Sequence, residues 1–398
     1  MSPLRIRSVH IYRLAIPLRL RVEHAAATRE TADPVVVQVA AGAPYAHCVG
    51  HGETLARTYV TGESAASVVE DICDVFMPRL AGFAPQSFAD ALEFIEALPV
   101  QISGRIVTAA RAATELALLD LAGQVFRRRP ADICGWLGLP GFGPPGCLAT
   151  ARYSGVVIGR TVRGLRARLR LQRWYGLRDF KLKVAVPGWE DRLVCAHRIL
   201  RAGLERQRVT LRVDANGGWR LPEARQAVDL LERCGVCALE QPLREADDDK
   251  LPWLAERTRC DLIADESLLT LADAERLIQA GGVRVFNIRI AKNGGLMPAL
   301  RIARAVLAAG RQVQLGCMVG ETSILSAAGI AFLEACPQVR FVEGAFGRWL
   351  LRADVTRRPV RFGLGGRIRG RPGFGLGVDV DPDKLRQLSA ERPRGLQF

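Results

Sequence analysis

Apolar and polar positions alternate in short runs over the first 60 residues, at 6–14 and again at 35–39. That period of two is the mark of half-buried strands, and the set reads as an antiparallel meander whose loops are residues 19–33 and 51–63. From residue 65 to 126 the apolar spacing lengthens to three or four. The Ala/Leu-rich stretch 105–126 places Ile106, Ala110, Ala113, Ala117 and Leu121 at helical intervals. Residues 1–130 therefore predict a small α+β domain, followed at 127–146 by an Arg-, Pro- and Gly-rich linker.

Past the linker the texture changes to short strands separated by long helical stretches. Candidate strands at 151–157, 180–184, 209–213, 238–240, 262–264, 285–290 and 313–316 recur every 25 to 30 residues, with helices such as 188–204, 223–234 and 297–309 between them. Alternation of this kind predicts βα units on a parallel sheet, and the regular period favours a βα barrel over an open sheet. The barrel is expected to occupy residues 147–350. The Gly/Arg/Pro-rich tail, 351–398, is expected to pack back on the first domain.

Composition adds constraints. With 49% hydrophobic and 24% charged residues among 398, the chain has ample material for a packed core. No apolar run approaches the roughly 18 residues of a membrane span, and Arg5, Arg7, Arg13, Arg19 and Arg21 interrupt the N-terminus where a signal peptide needs an apolar centre. A soluble, cytoplasmic protein is expected. Its ten cysteines are scattered and read as reduced, with the lone Cys234-x-x-Cys237 pair taken as structural. The formal charge of +15 raises the option of a nucleic-acid-binding barrel. However, the basic residues are spread along the whole chain and aromatics make up only 6%, so neither a binding stripe nor a stacking platform emerges.

The kind of basic residue is more telling, because only five of the 56 are lysines: Lys181, Lys183, Lys250, Lys292 and Lys384. Arginine keeps its proton, whereas lysine can be tuned into a base, so lysine in this background asks for a chemical reason. Three of the five fall in a series at strand ends: Lys181 and Lys183, then Asp214, Glu240, Asp265 and Lys292. Counted from Lys183, the intervals are 31, 26, 25 and 27 residues. In a βα barrel such ends converge on one mouth. Three carboxylates meeting there need a cation, and hard oxygen ligands without His or Cys favour Mg²⁺ or Mn²⁺. A metal flanked by lysines suits proton abstraction next to a carboxylate, with the ion stabilising the enediolate that forms; this Lys-plus-Mg²⁺ arrangement is the one known from enolase-type enzymes.

The segments Lys181-Leu182-Lys183, Val213-Asp214-Ala215-Asn216, Leu239-Glu240-Gln241-Pro242, Ala264-Asp265-Glu266-Ser267 and Ala291-Lys292-Asn293-Gly294-Gly295 together resemble the muconate lactonizing enzyme subgroup of the enolase superfamily, in order and in spacing. The resemblance implies an N-terminal α+β capping domain on a modified (β/α)7β barrel of the TIM type. It implies Mg²⁺ held by Asp214, Glu240 and Asp265, Lys183 and Lys292 on opposite sides of the substrate α-carbon as acid/base groups, and electrostatic help from Lys181. Asn216, Gln241 and Glu266 read either as partners of the ligands or as exposed turn residues. A small-molecule carboxylate substrate and a homo-oligomer are implied as well.

The subgroup contains racemases and epimerases, cycloisomerases and syn-dehydratases. Residues 51–63, with His51-Gly52-Glu53-Thr54 and Thr61-Gly62-Glu63, resemble the cap loop of dipeptide epimerases, so a racemase or epimerase acting on an amino-acid derivative or dipeptide is the first expectation. A cycloisomerase or dehydratase is the alternative. One departure bears on the choice: the Asp-x-Asp with which dipeptide epimerases hold the substrate ammonium is replaced by Glu343-Gly344-Ala345-Phe346-Gly347. Substrate contacts from Glu343, Glu321, His24 and His51 are left open.

Overall fold

A computed structural model of the protein describes residues 2–24, 27–143, 150–157 and 161–398. The N-terminal part runs through strands β1 (Ile6–Arg13), β2 (Ile16–His24), β3 (Ala27–Ala32), β4 (Val35–Ala41) and β5 (Val49–Thr54), then a small hairpin of β6 (Gln101–Ile102) and β7 (Arg105–Ile106). β1, β4 and β5 form an antiparallel sheet whose apolar side rests on the helix Thr108–Phe126. That helix is buried on nearly every side, so its alanines serve close approach rather than a single stripe. A Cβ at Gly50 would lie 2.2 Å from the Ala117 carbonyl oxygen, and one at Gly52 2.0 Å from that of Ala113. Only glycine fits at these two strand positions.

Two expectations for this half are corrected. Residues 19–33 are not a loop, since β2 and β3 pair as an antiparallel hairpin over most of that span. Ile16, Leu18 and Val22 are buried while Pro17, Arg19 and Arg21 face out, and Arg19 Nε donates to the Leu351 carbonyl at 2.8 Å. Nor does residue 51 begin a loop, because His51 lies within β5 and pairs with Gln38 of β4.

Eight parallel strands follow in sequential order: β8 (Gly155–Val157), β9 (Asp179–Lys183), β10 (Thr210–Asp214), β11 (Ala238–Glu240), β12 (Asp261–Ala264), β13 (Val283–Ile288), β14 (Gln312–Leu315) and β15 (Phe341–Val342). A parallel bridge from Tyr153 to Val342 joins the last strand to the first and closes the barrel. Each strand through β14 is followed by a helical segment, whereas β15 is followed only by the single turn Gly347–Leu350. This is the modified (β/α)7β form of the TIM barrel. The two-residue β15 was too short to register as a strand in the sequence. The chain then returns to the N-terminal sheet, where β16 (Arg394–Gln397) pairs antiparallel with β1.

Buried polar contacts lock the cap onto the barrel mouth. Glu53, at the end of β5, accepts hydrogen bonds from the Thr322 N–H (2.7 Å), the Thr322 hydroxyl (2.6 Å) and the Leu325 N–H (2.9 Å), at the start of the helix Ser323–Ala335. Glu115 accepts from the Met297 N–H at 2.8 Å, and Arg111 donates to both Glu115 and the Gly294 carbonyl. The loops after β13 and β14 are thus held from above by the capping helix and strand. No helix among the described residues is long and apolar enough to cross a membrane.

Candidate active site

The strands run in register so that Lys183 lies beside Asp214, and Asp214 beside Glu240; Asp265 follows directly on β12. The period of two points both Lys181 and Lys183 into the barrel and Leu182 outward into the helix layer. One carboxylate oxygen from each of Asp214, Glu240 and Asp265 lies within 4.8 Å of the other two, and all three residues are buried. The spacing of strand ends therefore does what it predicted, bringing three carboxylates to one point.

Each acid is braced. Lys181 Nζ lies 2.9 Å from Glu240 Oε1, 2.9 Å from Glu343 Oε1 and 3.2 Å from Asp214 Oδ2. Lys183 Nζ donates to Asp214 Oδ2 at 2.6 Å and to Asn216 Oδ1 at 2.7 Å. Below the acids, Asn287 and Gln314 donate to the two Glu240 oxygens at 3.1 and 2.9 Å, and Gln241 Oε1 accepts from the Asp265 N–H at 2.9 Å. Asn216 in turn donates to Glu266 Oε1 at 3.0 Å. Asn216, Gln241 and Glu266 are thus partners of the acidic cluster rather than exposed turn residues.

Burial alone would raise the Asp214 carboxyl, but Lys183 and Lys181 pull it well below the usual carboxylate range. Glu240 moves the other way, pushed up to about 8 by burial and by the charge of Asp214. Glu266 rises to about 7 through burial and its two acidic neighbours, and its Oε2 has no partner among the described residues. Crowded, desolvated carboxylates that differ this widely ask for a further cation. An all-oxygen donor set fits Mg²⁺ or Mn²⁺ rather than zinc.

Lys292 is held under Asp265. Its side chain is fully buried, and its ammonium donates to the Asp265 carbonyl (2.6 Å), Asp265 Oδ1 (2.9 Å) and the Asn287 carbonyl (2.9 Å). Three protons meet three acceptors, so nothing is left to face a substrate. Arg289, one residue beyond β13, is the group on that side of the cluster: its Nη2 donates to Asp265 Oδ2 and lies 3.8 Å from Glu240 Oε1. Sequence reasoning missed it among 51 arginines while attending to the lysines. Period-two alternation was the available signal, since Arg289 follows the inward-facing Asn287 as Lys183 follows Lys181.

The residues left open also find places. Glu343 is buried, with Arg212 Nη2 at 2.6 Å as well as Lys181 on its carboxylate. Glu321 accepts from the Met318 N–H (3.2 Å) and the Ser326 hydroxyl (3.0 Å), and burial raises it to about 7. His51 is buried in the cap with its Nε2 3.1 Å from Gln38 Nε2, away from the acidic cluster. The side chain of His24 lies outside the described residues.

Residues 164–384 match the family described as enolase C-terminal domain-like, and residues 6–135 the N-terminal domain of mandelate racemase and muconate lactonizing enzyme. The chain belongs to the enolase superfamily, in its muconate lactonizing enzyme subgroup. It is 28% identical over 323 residues to a hydrophobic dipeptide epimerase from Enterococcus faecalis, covering 81% of this chain and 84% of that one. To a chloromuconate cycloisomerase from Pseudomonas putida it is 26% identical over 390 residues, covering 97% and 99%. The crystal structure of N-succinyl Arg/Lys racemase from Bacillus cereus has the same fold, with a TM-score of 0.85 at 22% identity over 99% of this chain and 100% of that one.

Proposed function

We propose that the protein is a Mg²⁺-dependent isomerase that removes the proton next to a substrate carboxylate, with Lys183 as the base. The observation that carries this reading is one partly exposed amine beside three buried carboxylates whose oxygens lie within 4.8 Å. Asp214, Glu240 and Asp265 would hold the ion, Mg²⁺ or Mn²⁺, which when bound supplies positive charge against the negative charge that develops on the substrate carboxylate. Lys183 is the member of the lysine series whose side chain is open to the mouth, at 24% exposure. Asp214 and Asn216 orient its amine. Lys181 adds a fixed cation beneath the ligands, held high by Glu240, Glu343 and Asp214 despite its burial. Lys292 acts on Asp265 as a brace.

Cycloisomerisation is the form of the reaction that this geometry supports best. A single proton is given to the α-carbon as the lactone C–O bond forms, or taken from it as that bond breaks, so Lys183 serves as the one carrier and no second is needed. The engagement of Glu343 by Lys181 and Arg212 also favours a substrate without a free ammonium group. Epimerisation is the second reading, favoured by the likeness to the dipeptide epimerase.

The test is incubation in D₂O with Mg²⁺ and, separately, cis,cis-muconate, its lactone, and L-Ala-L-Leu, following ultraviolet absorbance and α-proton NMR signals, with Lys183→Ala as control. A change in unsaturation that needs both metal and Lys183 is expected. Turnover that survives in Lys183→Ala would overturn the assignment of the base, and inversion of the dipeptide would select the second reading.

A further inference from the structure

We infer that Arg289 confines proton transfer to the Lys183 face of the substrate, so that the enzyme exchanges the α-proton without inverting the carbon. This rests on Lys183 being the base. β9 and β13 are the second and sixth of eight strands and so stand across the barrel from each other. Lys183 sits at the Asp214 end of the acidic trio and Arg289 at the Asp265 end. A substrate carbon held over the trio has an amine on one side and a guanidinium on the other.

The guanidinium is built in. The Arg289 N–H donates to Asn293 Oδ1 at 2.8 Å, and its carbonyl accepts from the Asn293 N–H at 2.9 Å, which fixes the turn after β13. Gly316 of the neighbouring loop makes the room: a Cβ there would lie 2.9 Å from Arg289 Cγ. With five donors and no free lone pair, the guanidinium can bind an anion but cannot take or give back a proton. Among the described residues no other amine replaces it, because Lys292 is turned under Asp265 with its three protons in use. Arg289 shares with Tyr153, Cys317 and Glu321 the lining of a small, partly open space of about 10 Å³, and both Glu321 oxygens already accept hydrogen bonds.

In the step that follows, the α C–H bond breaks, its electron pair moves toward the substrate carboxylate and the proton passes to Lys183 Nζ. A solvent-exchanged deuteron on the same nitrogen returns to the same face. Arg289 contributes charge and not a proton.

The experiment uses the full-length protein with Mg²⁺ in D₂O and L-Ala-L-Leu and N-succinyl-L-arginine as probes, read by α-proton NMR and chiral chromatography. The native enzyme is expected to incorporate deuterium with retention of configuration, and Arg289→Lys to show inversion alongside exchange. Inversion by the native enzyme at the rate of exchange would overturn the inference. So would continued retention in Arg289→Lys with exchange intact.

If no probe exchanges, the substrate reading fails, and the position of the guanidinium is decided separately by Mn²⁺ titration followed by electron paramagnetic resonance. Arg289→Met should bind Mn²⁺ roughly tenfold more tightly than the native protein, as removal of a like charge within a few ångströms requires. Unchanged affinity would remove Arg289 from the cluster and the inference with it.

Discussion

Replacing Lys292 and Lys183 by methionine in turn separates two lysines that look alike in the sequence. Methionine keeps most of the stem, so the loss is confined to the ammonium. At Lys292 that loss takes the ammonium from the Asn287 carbonyl and from the Asp265 carbonyl, which keeps the Leu268 N–H at 3.0 Å, and removes one of two cations from a fully buried carboxylate. Each abandoned acceptor costs about 1 to 3 kcal/mol, and breaking a buried ion pair about 3 to 5 kcal/mol. Because Arg289 still pairs with Asp265, the lower end of each range applies, about 1 kcal/mol for the Asn287 carbonyl and about 3 kcal/mol for the ion pair, or about 4 kcal/mol together. At Lys183 the amine is a quarter exposed and Asp214 keeps Lys181 at 3.2 Å, so about 1 kcal/mol or less is expected. The assay is urea unfolding followed by circular dichroism, paired with α-proton exchange per folded molecule. Lys292→Met should unfold at clearly lower urea yet still exchange, and Lys183→Met should unfold near the native midpoint yet exchange nothing. A Lys292→Met protein with native stability and no exchange would refute the reasoning and restore that lysine as a second base.

Other outcomes follow from the same structure. Burial pushes His51 down to about 4 from an unfolded value near 6.5. The folded state therefore prefers the neutral ring, and the stability this gives is full above about 6.5 and lost as pH falls toward 4. At about 1.4 kcal/mol per pH unit, the native protein should lose about 3 kcal/mol relative to His51→Gln between pH 7 and 4, read as the difference in urea midpoints. Glu53→Gln keeps the shape but offers one accepting oxygen to the three donors on Thr322 and Leu325. About 2 kcal/mol should be lost, with faster hydrogen exchange at the Thr322 and Leu325 amides. Mg²⁺ at a hundredfold excess over its dissociation constant should stabilise the native fold by about 2.7 kcal/mol. The gain should vanish in Asp214→Asn, and a gain that persists would place the ion elsewhere.

The sequence carried the barrel period and the strand-end acids because both depend on local repetition. A βα unit has a nearly fixed length, so Asp214, Glu240 and Asp265 at even intervals must arrive at one mouth once the sheet closes. The scarcity of lysine likewise marks Lys181 and Lys183 in the sequence alone. The hairpin β2–β3 was hidden by the arginines on its outer face. β15 was hidden because two residues cannot show a period; its place is set by closure against Tyr153.

Tertiary structure alone decided which cation faces the mouth. Alternation along β13 extends as far as Arg289 and then ends, and the turn held by Asn293 carries Lys292 back beneath Asp265. Glu343, Arg212 and Lys181 come from three different strand ends and meet only across the closed barrel, and Glu53 meets Thr322 only when the cap is in place. Periodicity along the chain encodes which face a residue occupies within its own element. The partner a charge finds depends on the path of loops and on the closure of the barrel, and neither leaves a repeating trace in the sequence.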